Sequence, residues 1–288
     1  MQLGLWIRKN KSGLYILLVL LASFKQYLAN LTRATSPNIL ALMDGFSNLA
    51  VFIILGLVVV LCCSSRTLKQ SIEMAVVLLL SSFIGAQNGF IYMVPFFLFA
   101  YASLDIDLNK LIKWDLGLRL GMILFANILA WQGISQDVLI YRYDSMGGIQ
   151  IVRHSFGFYH PNMLMVMVLF VILEWMYLRY RRLVWWEIAI LTGITLYYNY
   201  LTNSRTSTML ALLAIFGCYI LQLLNQHAPK VDQVIRRILN TVLRVFVPLV
   251  AVIDVFIMYL PKSSTAYIKL NGLLANRVDI GQFYLKQT

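Results

Sequence analysis

The chain reads as an all-α, polytopic transmembrane helical bundle of about nine spans. Three observations predict this. Of its 288 residues, 60% are apolar and only 12% are charged, whereas charged residues make up about a quarter of a water-soluble domain. The apolar residues fall into runs long enough to cross a hydrocarbon core of about 30 Å, which takes roughly 20 helical residues. Lys and Arg are concentrated in alternate short connections between those runs. The net charge of +12 is therefore a topological signal. Nucleic acid is excluded as a first reading, because basic patches that bind it cluster on one face of a soluble domain.

The runs place spans near 13–31, 39–61, 71–86, 88–104, 115–134, 162–178, 184–201, 207–224 and 239–260. No small-residue cleavage site follows the first run, so it is expected to remain as an anchor. The third and fourth runs, separated by Ala86, Gln87 and Asn88, read as a tight helical hairpin. Cys62, Cys63 and Cys218 show no spacing of a disulfide framework and read as packing residues, with lipidation of Cys62 or Cys63 the alternative.

Orientation follows from the connections, since Lys and Arg are retained on the cytoplasmic side. One set contains Arg8, Lys9, Lys11, Arg66, Lys69, Lys110, Lys113, Arg179, Arg181, Arg182, Lys230, Arg236 and Arg237. The opposite set holds Arg33, Arg142, Arg153 and Arg205 before the final tail. The N-terminus is thus expected inside. Residues 1–260 would form the bundle, with an external loop at 135–161, and the tail 261–288 would lie outside. The two halves show no matching interrupted spans of the kind transporters carry.

Charges within a bilayer are costly and usually face the bundle interior or an aqueous cavity. Lys25, Asp44 and Asp254 lie about six residues inside the expected outer ends of their spans, roughly 9 Å at 1.5 Å per residue. Asn127 is at similar depth. Lys25 either pairs with Asp44 or Asp254 to hold helices together, or the three form the polar floor of an external cavity. Glu73, Asp115, Arg119, Glu174, Glu187 and Arg244 are expected at the inner surface, their side chains reaching water.

Two external segments carry most of the chemical signal. Arg153-His154-Ser155-Phe156-Gly157-Phe158-Tyr159-His160-Pro161-Asn162 leads into one span, and Thr202-Asn203-Ser204-Arg205-Thr206-Ser207 joins two others. Both run into a helix N-terminus, whose unpaired N–H groups and dipole favour anions. Pro161 suits a first turn, and Ser204, Thr206 or Ser207 suits a cap. Arg adds a planar fork matched to phosphate oxygens. Arg153 and His160, taken singly, also fit interfacial loop residues, while the tight turn around Arg205 holds it against the bundle. Tyr197, Tyr198 and Tyr200 read as an interfacial aromatic belt.

The segment from Ser155 to Asn162, with its Gly-Phe-Tyr-His-Pro-Asn core, together with Leu201 to Ser207, resembles the bacterial O-antigen polymerase and ligase-like superfamily. The likeness is greatest to exopolysaccharide and capsule repeat-unit polymerases of Gram-positive bacteria, and is clearest from about Leu116 onward. It implies a multi-pass glycosyltransferase of the cell membrane that joins oligosaccharide repeat units carried on undecaprenyl diphosphate at the outer face. A flippase and a chain-length regulator of the same pathway would be its partners. Under this resemblance Arg153 and Arg205 neutralise the departing diphosphate, and His160 orients or deprotonates the acceptor hydroxyl. Arg142, Tyr159, Asn162, Asn203, Arg277, Lys25, Asp44 and Asp254 would contact substrate. External carboxylates are few, chiefly Asp137, Asp144 and Asp279, so neither metal nor cofactor is expected. Members of the superfamily usually continue through further spans after a second external loop, whose beginning the segment Leu270 to Ile280 resembles, whereas this chain stops at Thr288; the expectation is either a shortened copy or a chain whose remainder is missing. The non-enzymatic alternative is a transporter or flippase for an anionic lipid-linked saccharide.

Overall fold

The computed structural model describes residues 2–31, 52–53, 56–58, 60, 67–88, 93–103, 106–143, 149–180, 182–258, 261–262 and 264–273. Most of the described residues are helical, and two short strands pair as the one sheet among them. In order, the elements are α1 (Gln2–Ala29), α2 (Leu68–Asn88), α3 (Met93–Ala102), α4 (Leu108–Trp131), β1 (Ile140–Tyr143), β2 (Ile149–Arg153), α5 (Pro161–Arg179), α6 (Trp185–Thr202), α7 (Arg205–His227), α8 (Pro229–Met258) and α9 (Thr265–Leu273). Among the described residues, α4, α5 and α7 are long and apolar enough to cross a membrane. Exposed large apolar side chains along them, such as Leu124, Phe170 and Leu213, have no place in water and suit lipid. The protein is a helical membrane protein.

Two compact units divide the chain. One comprises Met1–Ser82 and Ile91–Gln222, the other Phe83–Phe90 and Leu223–Thr288. In the first unit α5 forms the middle of the larger core. Leu164, Met165, Ile172 and Met176 on α5 are buried with Tyr27 and Leu28 of α1, Met122 and Ala126 of α4, Leu191 of α6 and Ile215 of α7. A second cluster joins Tyr15 of α1 to Leu57, Val60 and, on α3, Leu98 and Ala102. The Tyr15 hydroxyl there donates to the Phe99 carbonyl at 3.0 Å, which satisfies a polar group that would otherwise be costly inside apolar packing.

Helix limits follow local chemistry. Asp107 caps α4, its carboxylate accepting from the amides of Asn109 and Lys110. Pro161 occupies the first turn of α5, where its missing N–H costs nothing. Asn203 ends α6 in the left-handed conformation, φ 46° and ψ 43°, which asparagine tolerates better than most residues. The buried Gln222 side chain exchanges two hydrogen bonds with the backbone of Leu183, both at 2.8 Å, and pins the connection between α5 and α6.

Several expectations need correction. Of the fourth expected span, 88–104, the described part is chiefly α3; residues 89–92 and 104 lie outside the described residues. The expected inner-surface charges Asp115, Arg119 and Glu174 are buried: Arg119 bridges Asp115 and Glu174 across α4 and α5, with side chains 11, 15 and 12% exposed. They turn inward because each satisfies another, which no residue could do from the lipid face. Glu187 is likewise enclosed, paired with Arg179 at 2.8 Å. The span expected at 39–61 falls largely outside the described residues.

Candidate functional site

Of the 135–161 segment, the described residues 135–143 and 149–161 form a ledge in the first unit where α4 stops and α5 starts. β1 and β2 pair antiparallel, Ile140 opposite Arg153 and Arg142 opposite Ile151, with an irregularity after Arg142. The chain then descends into the bundle. Phe156 and Gly157 take positive φ, 46° and 84°, and a Cβ on Gly157 would sit 2.5 Å from the Ala126 carbonyl oxygen. Glycine is required there on both counts. The turn drops Phe158 into the core, fully buried, and the Tyr159 amide donates to the Asn30 carbonyl at 3.0 Å.

One carboxylate organises this turn. Asp137 Oδ1 accepts from the amides of Ser155 and Phe156, both at 2.8 Å, and its Oδ2 lies 2.6 Å from His154 Nδ1. Burial raises the Asp137 carboxyl pKa, but the hydrogen bonds from His154 and from the Phe156 and Ser155 amides outweigh it and hold the group below the usual carboxylate range. An ionised Asp137 can only accept, so His154 Nδ1 must carry a hydrogen. In the neutral ring Nε2 is then an open lone pair, with no partner among the described residues.

His160 shows the opposite arrangement. It caps α5, and its Nδ1 accepts from the Asn162 amide at 3.0 Å. Nδ1 is therefore unprotonated, and the neutral ring carries its hydrogen on Nε2. Burial, and then the neighbouring Arg153 guanidinium, hold the imidazole below its ordinary pKa and keep it neutral. Of the two roles expected for His160, donating a hydrogen bond fits this geometry; taking a proton does not. The ring with an available basic nitrogen is His154, which the sequence reading left without a role. Its partner Asp137 stands seventeen residues earlier, too far along the chain to pair by spacing.

The two arginine segments come together. The His154 amide donates to the Leu201 carbonyl at 2.9 Å, and Arg153 Nε donates to the Thr202 carbonyl at 2.7 Å. Arg153 Nη2 also donates to Asn162 Oδ1. Arg153 thus ties the end of α6 to the start of α5, and part of its fork is already spent. Arg205 differs: it is exposed at the first position of α7 and has no ion pair or hydrogen bond from its guanidinium among the described residues. The first hydrogen bond of α7 runs from the Thr208 amide to the Ser204 carbonyl, 3.1 Å, so the amides of Arg205, Thr206 and Ser207 precede it. On α5 the corresponding amides of Asn162 and Met163 are taken by His160, at 3.0 Å each. The open anion-binding helix end is that of α7.

Beside the ledge, between α4 and α6, lies a cavity of about 510 Å³ lined by Asn127, Trp131, Asp137, Phe156, Tyr197 and Tyr198 among others. That volume is ordinary for a small-ligand site. Asn127 Nδ2 donates to the Tyr198 hydroxyl at 3.0 Å, while Asn127 Oδ1 is buried without a partner. Tyr198 turns inward, whereas Tyr197 and Tyr200 stay exposed, so the expected aromatic belt divides. Asp137 and Phe156 line the cavity, and the His154 ring lies tilted against Phe156 with centroids 5.6 Å apart.

Of the remaining expected contact residues, Tyr159 is exposed beside the His160 ring, 6.5 Å between centroids, and Asn203 serves through its backbone. Arg142 lies in β1 and Asp254 in α8, with side chains outside the described set. Asp44 and Arg277 lie outside the described residues altogether. Lys25 is half-buried on α1 with no ion pair among the described residues. No protein-family model, curated protein or solved structure matches this chain.

Proposed function

We propose that this chain is a membrane glycosyltransferase that joins lipid-diphosphate-linked oligosaccharide units, at the membrane face on which the 135–161 ledge lies. The observation that carries the reading is the pairing of an aspartate-oriented histidine with an arginine-bearing open helix end on one ledge. The alternating Lys and Arg content of the connections supports placing that ledge outside, with the N-terminus inside and about nine spans in all.

In this mechanism the acceptor sugar lies in the cavity, its rings against Trp131 and Tyr197 and its hydroxyls within reach of Asn127. The acceptor hydroxyl attacks the anomeric carbon of the donor unit and its proton passes to His154 Nε2. Asp137 holds the imidazole and stabilises the imidazolium that forms. The bond between the anomeric carbon and the diphosphate oxygen breaks. Arg205 and the amides at the start of α7 take up the negative charge that develops on the diphosphate, where scarce water strengthens their effect. His160 Nε2–H adds a donor, and Arg153 keeps the two segments in register. The donor lipid of the resemblance, undecaprenyl diphosphate, has the chemistry this site would accept.

The test is to express the chain in cells deleted for their own repeat-unit polymerase and to measure polysaccharide chain length. Polymer is the expected product. Single-repeat product alone, from stably inserted protein, overturns the reading. Transport of an anionic lipid-linked saccharide is a second reading, favoured by one observation: the buried charges of Asp115, Arg119 and Glu174 within the spans. Movement of labelled substrate across vesicles without polymer formation would select it.

A further inference from the structure

About halfway along α4, away from the ledge, one guanidinium faces two carboxyl groups. Arg119 Nη2 donates to Asp115 Oδ2, and Arg119 Nε donates to Glu174 Oε1 at 3.1 Å. The Tyr27 hydroxyl reaches Asp115 Oδ1 at 3.3 Å. The guanidinium carbon lies 5.1 Å from the Tyr27 ring centre and 4.8 Å from that of Phe170, so aromatic faces close the cluster from α1 and α5. Arg119 stands seven residues before Ala126, the residue touched by the descending turn, and hence about 10 Å deeper along the helix.

With both acids ionised, this enclosed cluster would carry a net negative charge inside helices that suit a bilayer, an expensive arrangement. A second observation points the same way. Glu174 Oε2 is buried and accepts no hydrogen bond, which would leave part of a carboxylate desolvated without return. A single proton removes both difficulties, because it neutralises the excess charge and turns an orphaned acceptor into a donor on a carboxyl that shares Arg119 with Asp115.

We propose that Glu174 and Asp115 hold one proton between them, making Asp115–Arg119–Glu174 a neutral, proton-loaded site buried between α4 and α5. The ligand is the proton itself, and the site does not depend on the glycosyl-transfer reading. The groups around it fit. α1 contributes Tyr27, while Lys25 two residues earlier makes no ion pair among the described residues. α5 contributes the neutral Met167 and Phe170. Arg179 and Glu187, where α5 ends and α6 begins, are occupied with each other at 2.8 Å. From α7, Cys218 and Tyr219 pack against this core, and neither brings a carboxylate.

Infrared difference spectroscopy of the full chain in lipid nanodiscs tests this. A protonated-carboxyl stretch is expected at neutral pH, and it should vanish in Glu174→Gln and also in Asp115→Asn, because either change leaves one carboxylate against one guanidinium. Absence of the band in the wild type, or its persistence in both variants, overturns the proposal. Thermal melting gives a second measure. The folded chain holds a proton that the unfolded chain releases, so wild-type stability falls as pH rises above the ordinary carboxylate range. Glu174→Gln, which carries its donor at every pH, should melt with the wild type in mild acid and several degrees above it in alkali. A difference between the two that is the same at every pH also overturns the proposal.

Discussion

His154 Nδ1 lies 2.6 Å from Asp137 Oδ2, and that bond decides which ring nitrogen is left open. Because Asp137 also accepts two backbone amides at 2.8 Å, its position is set by the turn itself. The histidine is oriented by the fold itself. His160, six residues on, spends the same nitrogen on a helix cap, so two histidines of one segment present opposite faces of their chemistry.

That contrast predicts unequal losses. His154→Gln should lower elongation by about 100- to 10,000-fold, the usual range for removing a general base. His160→Asn, which keeps a capping oxygen, should lower it far less. Both are read from polysaccharide chain length and rate in cells lacking their own polymerase. Full-length polymer from His154→Gln would exclude the dyad from the chemistry.

Arg153 and Arg205 should separate by stability. Arg153→Ala strands the Thr202 carbonyl and the Asn162 amide oxygen, and should cost about 1–3 kcal/mol, seen as a lower melting temperature in detergent. Arg205→Ala should leave melting unchanged and abolish elongation, with Arg205→Lys restoring part of it because an ammonium lacks the planar fork. An active Arg205→Ala would sink the diphosphate assignment.

Acid should loosen the ledge in two stages. The His160 pKa is held below its ordinary value of about 6.5 by burial and by Arg153, so the folded state binds fewer protons than the unfolded one. Stability from this residue is lost as pH falls from that value through the folded one. Asp137, also depressed, contributes stability above the ordinary carboxylate range and loses it at lower pH. Melting curves of His160→Asn should lack the first stage and keep the second.

Gly157→Ala should fail for backbone reasons alone. The left-handed conformation costs a side chain about 1–2 kcal/mol, and the added Cβ would press on the Ala126 carbonyl at 2.5 Å. A lower melting temperature with lost polymer is expected, while Gly121→Ala, with open space around its Cβ position, should behave as wild type.

Much of the helical frame was legible in the sequence. Expected spans at 162–178, 184–201 and 207–224 correspond to α5, α6 and α7 within three residues at each end, because length and apolar content are local properties. The Pro161 start was legible for the same reason. The β1–β2 hairpin was not, since two strands of four and five residues gain order only from each other and from the bundle end beneath them. Nor was the inward turn of Asp115, Arg119 and Glu174. A charge near a span end reads as solvated unless its partner on another helix is known.

By itself, the sequence determined that this protein is a helical membrane protein and that Arg153, His160 and Arg205 belong to two related segments. Composition and spacing suffice for that, because the bilayer imposes the same length and polarity on every span. The tertiary structure alone decided which hydrogen-bond partners those residues take. Arg153 became a tether, Arg205 stayed open, and the basic nitrogen passed from His160 to His154. Those assignments depend on which hydrogen-bond partners are already taken, and hydrogen bonds between residues far apart in the chain exist only once it has folded.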